Sequence, residues 1–451
     1  MSDAARSANR TSTSHAKPNI PNRSGPTRRH FLRASAGLLA GTAAGWNLAR
    51  AAHGSGSDAL KVGLIGCGGR GSGAAANALN ADPGARLVAM ADLFEDKVLG
   101  ARKRLKEMKP EQVEVDRDRC FVGFDGYRQV IDSGVDVVVI ACASRFHPEY
   151  LKAAVEAGKH VFVEKPHAID PPGVQTVIAA CEEAERKGLS VVSGLCWRYH
   201  TGVQETMKRV LDGAIGEIVA IQETYMRSPY RLIDRQPEQS EIEYQFRNWY
   251  HFNWLCGDDI AQSLIHSLDK GSWLLGDQPP LRAYGQGGRA ASFGTKYGDV
   301  FDHHMVTYEY ANGVRMYGIG RAQTGCYNEV SDIFLGTKGR CDLLKHRIEG
   351  ETEWRYEGPA CNMYDLEHVA LFSAIRSGKP INNGRYMATS SMLAILGRMV
   401  CYTGKRMTWD EAMQSSHRLG PQRCSFDIEP PVKPDEKGIY PVPVPGMTTL
   451  G

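Results

Sequence analysis

The stretch that decides the fold is Leu60-Lys-Val-Gly-Leu-Ile-Gly66-Cys-Gly-Gly-Arg-Gly71, followed by an alanine-rich segment to Leu79. Its first six residues form a nearly continuous apolar run, which is typical of a strand buried on both faces of a parallel sheet. Glycines between such a strand and a helix let the backbone approach a pyrophosphate at the helix N-terminus. The sequence therefore predicts a dinucleotide-binding loop made by Gly66, Gly68, Gly69, Arg70 and Gly71.

A second apolar strand, residues 87–91, ends at Asp92, which stands 26 positions after Gly66. A carboxylate at the end of this strand accepts a hydrogen bond from a ribose 2′-hydroxyl in dinucleotide-binding folds. Leu93 and Phe94 follow Asp92, and no arginine stands beside it, so a 2′-phosphate would meet an uncompensated negative charge. The sequence therefore predicts NAD as the cofactor and favours it over NADP.

Strands and helices continue to alternate as far as residue 193. Strands are predicted at 135–141, 160–163 and 189–193, and helices at 148–157 and 170–187. The loop 164–169 follows a parallel strand at its carboxyl end, where ligands bind in open α/β sheets. Lys165 on this loop is either a solvated surface charge or part of a site. The predicted fold class here is an α/β Rossmann dinucleotide-binding domain over residues 58–193.

The pattern changes after residue 193. Candidate strands follow one another with few helices between them, at 217–226, 304–310, 314–320, 330–335 and 348–356. Turns containing glycine at 311–313 and 337–339 indicate hairpins. This pattern predicts an α+β domain with a mainly antiparallel sheet over residues 194–427, with late helices near 364–377 and 386–403. A proline-rich C-terminal tail, residues 428–451, follows.

One predicted helix, residues 258–275, carries a stripe of polar side chains. Gln262, His266 and Asp269 stand at i, i+4 and i+7, which places them on one face of an α-helix. Most other positions are apolar. The stripe is therefore either a solvated face or one side of a site.

The charge of the chain divides unevenly along its 451 residues. Residues 1–51 hold eight lysines and arginines and one acidic residue, which leaves 46 basic against 50 acidic residues and a net charge of −4 beyond them. The segment from Arg28-Arg29 through a short glycine-rich apolar run resembles a twin-arginine export signal; an uncleaved amphipathic helix is the alternative. We therefore expect a periplasmic or otherwise exported protein that binds no nucleic acid and is not embedded in a membrane.

The eleven cysteines are scattered, with no CxxC pair and an odd total. This spacing indicates neither a zinc site nor a disulfide framework. His303 and His304 are adjacent, and neighbours on a strand point to opposite faces, so we do not expect them to share a metal. The sequence therefore predicts no metal site.

Taken together, these motifs resemble the glucose-fructose oxidoreductase / inositol dehydrogenase (Gfo/Idh/MocA) family. The resemblance rests on the glycine-rich loop, on Gly158-Lys-His-Val-Phe-Val-Glu-Lys-Pro166, and on His266-x-x-Asp269 before Trp-Leu-Leu-Gly276. It covers about residues 58–410. It implies a Rossmann domain plus an open-faced sheet domain, with NAD(P)-dependent oxidation or reduction of a sugar or cyclitol carbinol between them.

The resemblance also implies roles for individual residues. Lys165 would be the catalytic lysine and His266 the acid/base, with Asp269 and Gln262 in the catalytic group. The family often has Asp where Gln262 stands, and a neutral amide cannot stabilise an imidazolium as a carboxylate would. Further cofactor contacts are expected from Ser144, His147, Glu164 and Lys165. Candidate substrate contacts are Arg198, Tyr199 and Trp249, the last in an aromatic run that either stacks on sugar rings or packs as core.

An exported enzyme that uses NAD must carry its cofactor with it, because no soluble NAD pool exists outside the cytoplasm. We therefore expect a tightly held nicotinamide that is recycled in place. Two alternatives stay open: a redox-neutral glycoside cleavage by oxidation and elimination, and a non-catalytic sugar-binding protein that retains a nucleotide. The expected partners are a small sugar or cyclitol and further copies of the chain, as a dimer or tetramer.

Overall fold

Two β-sheets organise the structure, a computed structural model that describes residues 59–450. The predicted export signal, residues 1–51, lies outside these residues. The first sheet is parallel throughout, with strand order β3-β2-β1-β4-β5-β6. Its strands are β1 (Leu60–Ile65), β2 (Ala85–Asp92), β3 (Cys120–Val122), β4 (Val137–Ile140), β5 (His160–Val163) and β6 (Val191–Ser193). This order is that of a doubly wound nucleotide-binding sheet, which confirms the predicted Rossmann fold.

Helices connect the parallel strands. They are α1 (Gly69–Ala81), α2 (Glu95–Met108), α3 (Gly126–Asp132), α4 (His147–Glu156) and α5 (Pro171–Arg186). Asp170 caps α5, because its carboxylate accepts a hydrogen bond of 2.8 Å from the amide of Gly173. The central strands are buried on both faces, as their apolar sequences predict.

The second sheet has nine strands in the order β14-β13-β12-β11-β7-β10-β9-β8-β15. Its strands are β7 (Ile218–Arg227), β8 (Arg282–Gly288), β9 (His303–Glu309), β10 (Arg315–Ala322), β11 (Glu329–Gly336), β12 (Gly339–Asp342), β13 (Arg347–Gly350), β14 (Trp354–Arg355) and β15 (Met407–Thr408). All neighbours are antiparallel except β7 and β10, which run parallel. Both predicted hairpins are present, and the predicted strand 348–356 is divided between β13 and β14.

Helices of the C-terminal half are α6 (Thr201–Leu211), α7 (Glu241–Arg247), α8 (Asn253–Cys256), α9 (Ile265–Leu274), α10 (Met363–Ser377), α11 (Gly384–Thr403) and α12 (Trp409–Met413). Helices α9 and α11 pack on one face of the nine-stranded sheet. Helix α10 instead packs against α1 of the parallel sheet, where Asn77 donates to Asp365 over 2.7 Å. The domain boundary after residue 193 therefore stays a prediction, because elements beyond it complete both halves.

The last described segment, residues 414–450, forms no helix or strand, and we name it the C-terminal strap. It begins 14 residues before the predicted proline-rich tail. Leu419 and Tyr440 of the strap are buried in a third hydrophobic cluster together with Phe246 and Trp254. The strap is therefore part of the folded core and starts earlier than the proline content predicts.

Among residues 59–450, no helix is both long and apolar enough to cross a membrane. Within the same range, no three His, Cys, Asp or Glu side chains are grouped closely enough to hold a metal. All eleven cysteines are free. His304 lies against Asp258, whereas His303 pairs with its neighbour Asp302 over 2.9 Å, so the two histidines have separate partners.

Candidate active site

The glycine-rich loop is shaped by steric limits on two of its residues. Gly66 has φ of +97°, a backbone conformation that favours glycine. A Cβ on Gly71 would lie 1.8 Å from the Gly66 carbonyl oxygen, so this close approach of helix to strand requires glycine. A Cβ on Gly68 would meet nothing within 4 Å, because the loop faces open space there. Helix α1 begins at Gly69, so its free amides face the same space, which suits a pyrophosphate.

Asp92 ends β2 beside this loop. Its carboxylate accepts hydrogen bonds from the amide of Cys67 (2.6 Å) and from the amide of Phe94 (3.1 Å). Burial raises the pKa of Asp92, and these backbone amides oppose that shift. Asp92 lines the cavity described next, so the structure places it where the sequence predicts a ribose contact.

A cavity of about 560 Å³ extends from the glycine-rich loop across the carboxyl ends of the parallel strands. One wall belongs to the Rossmann half and includes Asp92, Phe94, Phe124 and Phe146. The other wall comes from residues 231–250. It is formed by Arg231, Ile233, Phe246, Arg247, Trp249 and Tyr250. The volume, the glycine floor and the apolar walls fit a dinucleotide, and Trp249 lines this cavity.

Lys165 is partly buried on the loop after β5. Its ammonium donates a hydrogen bond of 2.6 Å to the main-chain carbonyl of Gln262. Burial lowers the pKa of Lys165, although the nearby Glu164 carboxylate opposes this shift. The Lys165 side chain therefore joins the Rossmann half to the segment carrying His266.

His266 lies one turn further along that segment. Its Nδ1 is buried and has no hydrogen-bond partner among the described residues. Burial, and then the positive charges of Lys165 and Lys270, lower the pKa of His266 well below its ordinary value. An imidazole in this setting stays neutral at neutral pH, which is the state that accepts a proton.

The predicted helix 258–275 differs from the structure at its start. Asp258 has φ of +75° and precedes the helix, residues Ile260–Leu264 are π-helical, and α9 begins at Ile265. Wider winding changes the i, i+4 relation on which the predicted stripe depends. The Gln262 amide donates to the hydroxyl of Ser144 (3.0 Å) and to the carbonyl of Cys256. Gln262 therefore links this segment to the Rossmann half by its side chain and to Lys165 by its carbonyl.

Asp269 and Arg198 form a buried ion pair with each other. The guanidinium of Arg198 contacts Asp269 at 2.8 Å and Asp277 at 2.6 Å, and Ser390 donates to Asp269 over 2.8 Å. The Arg198 guanidinium and the Asp269 carboxylate therefore have their charged partners away from the cavity. The structure does not bring Asp269 to His266 as a catalytic partner, nor Arg198 to the cavity as a substrate contact. Sequence spacing could not show this, because the partners come from distant segments.

Tyr199 is also directed away from the cavity, since its hydroxyl donates to Asn383 over 2.9 Å. Arg70 extends from the glycine-rich loop to the carboxylates of Glu164 and Glu367, the latter at 3.1 Å. Arg70 therefore ties the loop to the residue before Lys165. Both ring nitrogens of His147 face carbonyl oxygens, at Pro166 (2.7 Å) and Cys142 (3.1 Å). His147 thus supports the loop that carries Lys165.

Comparison with known proteins agrees with this geometry. Residues 60–193 match the family model described as "Oxidoreductase family, NAD-binding Rossmann fold". These residues therefore resemble the NAD-binding domain of the Gfo/Idh/MocA oxidoreductases. The chain is 29% identical over 333 residues to inositol 2-dehydrogenase of Klebsiella pneumoniae (strain 342), covering 71% of the chain and 87% of that protein.

Two further similarities have narrower scope. An inositol 2-dehydrogenase/D-chiro-inositol 3-dehydrogenase of Halalkalibacterium halodurans is 29% identical over 219 residues, which cover 49% of this oxidoreductase and 53% of that protein. The match therefore spans about half the length of that relative. The solved structure of levoglucosan dehydrogenase in complex with NADH and levoglucosan has a TM-score of 0.61 at 19% identity, covering 77% of this chain and 99% of that one. At that identity the likeness concerns the fold.

A stacked column of side chains, which the sequence did not predict, begins at the cavity wall. The rings of Trp249 and Tyr250 are 3.7 Å apart, those of Tyr250 and Tyr230 are 3.9 Å apart, and the guanidinium of Arg227 lies 3.6 Å from the centre of Tyr230. Arg227 is held in turn by Asp259, at the start of the segment that carries His266. In the sequence, only the aromatic run after residue 246 indicated this column. Arg227 and Tyr230 stand about 20 residues before Trp249 and Tyr250, so their contact with these rings could not be predicted.

Proposed function

We propose that this protein is an NAD-dependent oxidoreductase that transfers hydride between a nicotinamide and a CH–OH group of a sugar or cyclitol. The observation that carries the proposal is the hydrogen bond from Lys165 Nζ to the Gln262 carbonyl, which joins Lys165 to the segment carrying His266. Glu164, the neighbour of Lys165, contacts Arg70, which lines the dinucleotide cavity. The glycine floor and Asp92 would hold the dinucleotide. When bound, NAD supplies the hydride acceptor.

The remaining chemistry belongs to two side chains of the protein. A carbinol that loses hydride must also lose its hydroxyl proton, and the neutral imidazole of His266 accepts it. The Lys165 ammonium stabilises the negative charge that develops on the carbinol oxygen. Partial burial of both side chains strengthens these interactions, because less water is present to screen them.

The substrate class follows from the relatives and from the wall of the cavity. Inositol and levoglucosan, named for two related proteins, are both ring compounds that carry several hydroxyl groups. Trp249 lines the cavity at the end of the stacked column, and its ring face that is not covered by Tyr250 suits the C–H surface of a ring. We infer that the substrate is a cyclic polyol or a sugar and that its keto form is the product.

The experiment is a comparison of Lys165→Met and His266→Gln with the unchanged protein. We expect turnover on a panel of sugars and cyclitols to fall by about 10²–10⁴ in each variant, while NAD affinity stays within about threefold. Lys208→Met, which alters an exposed lysine, is the control. Unchanged turnover in both variants would reject the assigned roles. Release of free sugar from a glycoside without net NADH would instead indicate oxidation and elimination.

We further propose that the chain is exported by the twin-arginine route and carries its nicotinamide with it. Arg28 and Arg29 before Phe31-Leu32 support the route. Replacement of both arginines by lysine is expected to leave the protein in the cytoplasmic fraction, as fractionation and immunoblotting would show. Mass spectrometry of the purified exported protein should detect a bound nucleotide. If the nucleotide is absent and NAD binds weakly, recycling in place is wrong.

We also propose that the oxidoreductase forms a homo-oligomer through the exposed face of its nine-stranded sheet. Val219, Met305 and Leu335, on three different strands of this sheet, are 56%, 40% and 42% exposed. Apolar patches of this kind mark protein contacts. Met305→Glu combined with Leu335→Glu should convert a dimer or tetramer to a monomer in light scattering, whereas Lys208→Met should not. A monomeric unchanged protein would contradict the proposal.

A further inference from the structure

The C-terminal strap, residues 414–450, is anchored first to the loops at the carboxyl ends of the parallel strands. The Leu419 carbonyl accepts a hydrogen bond of 2.6 Å from Arg145, which stands in the loop after β4. The Leu419 amide donates to Asp170, the cap of α5, over 2.9 Å. The strap therefore enters the region of the dinucleotide cavity with both polar groups of Leu419 bound to the Rossmann half.

Phe426, seven residues further along the strap, contacts both walls of the cavity. Its ring centre is 5.9 Å from that of Phe94 and 5.2 Å from that of Phe124, both on the Rossmann wall. It is also 6.2 Å from the ring centre of Phe246, on the wall formed by residues 231–250. All three partners line the cavity, whereas Phe426 does not and is 39% exposed. Phe426 thus bridges the two walls from outside.

The strap is then anchored a second time, to the other wall. The carbonyl of Val432 accepts a hydrogen bond of 2.8 Å from Gln245, the neighbour of Phe246 in α7. Tyr440 packs edge-on against Phe252 and its hydroxyl bonds to Glu241, at the start of α7. The strap consequently connects α7, which forms part of one wall, with the loops that form the other.

We propose that the C-terminal strap, acting through Phe426, holds the two walls of the cavity together and so sets the rate at which the dinucleotide leaves. This proposal rests on the proposed NAD-dependent function and adds to it the element that retains the cofactor. The two walls also touch each other directly, at Phe124 and Phe246 and at Phe94 and Arg247. We expect release of a ligand of this size to part the walls, and the Phe426 contacts must break in that motion. Phe426 itself does not line the cavity.

The test is the rate of NADH release from Phe426→Ala. Protein loaded with NADH is mixed with excess NAD⁺, and the loss of bound NADH fluorescence is followed in a stopped-flow instrument. Loss of three aromatic contacts is expected to raise the dissociation rate about tenfold, with a much smaller change in the association rate. Phe293→Ala is the matched control, because Phe293 is 65% exposed and does not line the cavity.

Each outcome decides the proposal. An equal release rate for Phe426→Ala and Phe293→Ala, with NADH bound by the unchanged protein, overturns the role of the strap and leaves the proposed function intact. Failure of the unchanged protein to bind NADH overturns the proposed function itself. Thermal unfolding without nucleotide is measured for both variants. A rise in release rate together with an apo melting temperature equal to that of Phe293→Ala supports the strap, and a rise explained by general unfolding contradicts it.

Discussion

The dinucleotide loop, residues 66–71, and the segment 260–274, which carries His266, are built in different ways. The loop is a backbone site, shaped by where a Cβ cannot fit and where the amides of α1 begin. The segment depends on side chains, because Gln262 and Asp269 find their partners in other parts of the fold. A backbone site tolerates few residue types at fixed spacing, whereas a side-chain site depends on partners that spacing does not reveal.

The largest expected effect on cofactor binding comes from breaking the backbone site. Gly71→Ala places a methyl group where a Cβ would lie 1.8 Å from the Gly66 carbonyl, so helix and strand must separate. We expect NAD affinity to fall about a hundredfold, equivalent to about 3 kcal/mol of binding free energy, in a fluorescence titration.

The control for this change lies two residues away in the same helix. A Cβ on Gly73 would meet only the guanidinium of Arg70, at 3.5 Å, which is an ordinary contact. Gly73→Ala should bind NAD normally and gain up to about 1 kcal/mol of stability from helix propensity. Equal affinities for the two variants would show that the steric account of the loop is wrong.

The next effect distinguishes a structural from a catalytic role in the side-chain site. Arg198→Met leaves Asp269 and Asp277 without their shared partner in the protein interior. We expect the free energy of unfolding to fall by about 3–5 kcal/mol in chemical denaturation. NAD affinity should stay within about twofold.

Lys208→Met serves as the surface counterpart, because Lys208 pairs with Asp212 in the open. Its removal should change the free energy of unfolding by about 0.5 kcal/mol or less. If Arg198→Met instead preserved stability and abolished turnover, the result would support the sequence prediction that Arg198 contacts the substrate.

The smallest expected effect is a change in the pKa of His266. Burial, followed by Lys165 and Lys270, lowers the pKa of His266, so the imidazole stays neutral until the pH falls well below 6.5. Carbinol oxidation should therefore lose rate only in that acidic range. Lys165→Met removes one positive charge and should raise the pKa of His266, measured by NMR of ring-labelled histidine. A downward shift would contradict this arrangement.

The sequence alone predicted most of the first half of the molecule. Strands β1 and β5 occur with the predicted bounds, Asp170 caps α5 as expected, and Gly66 and Asp92 stand together at the carboxyl ends of β1 and β2. These features follow from local rules: apolar runs for buried strands, glycine for close approach, and a capping side chain at a helix start. Each depends on residues near one another in the chain.

The sequence predicted the polar residues of the segment 260–274, but only part of their arrangement. Its polar residues were found, yet the start of the helix is π-helical and Asp269 faces Arg198 and Asp277. Periodicity assumes regular α-helical winding, and it cannot show which distant charge neutralises a buried carboxylate.

By itself, the sequence determined a dinucleotide loop, its preference for NAD and the positions of the main parallel strands, because short-range sterics and apolar patterning suffice for them. Tertiary structure alone decided that Lys165 reaches the Gln262 carbonyl, that Arg198 is held by carboxylates, and that residues 414–450 join both cavity walls. The physical reason is that a buried polar or charged group must find a partner wherever the fold provides one. That partner can lie hundreds of residues away.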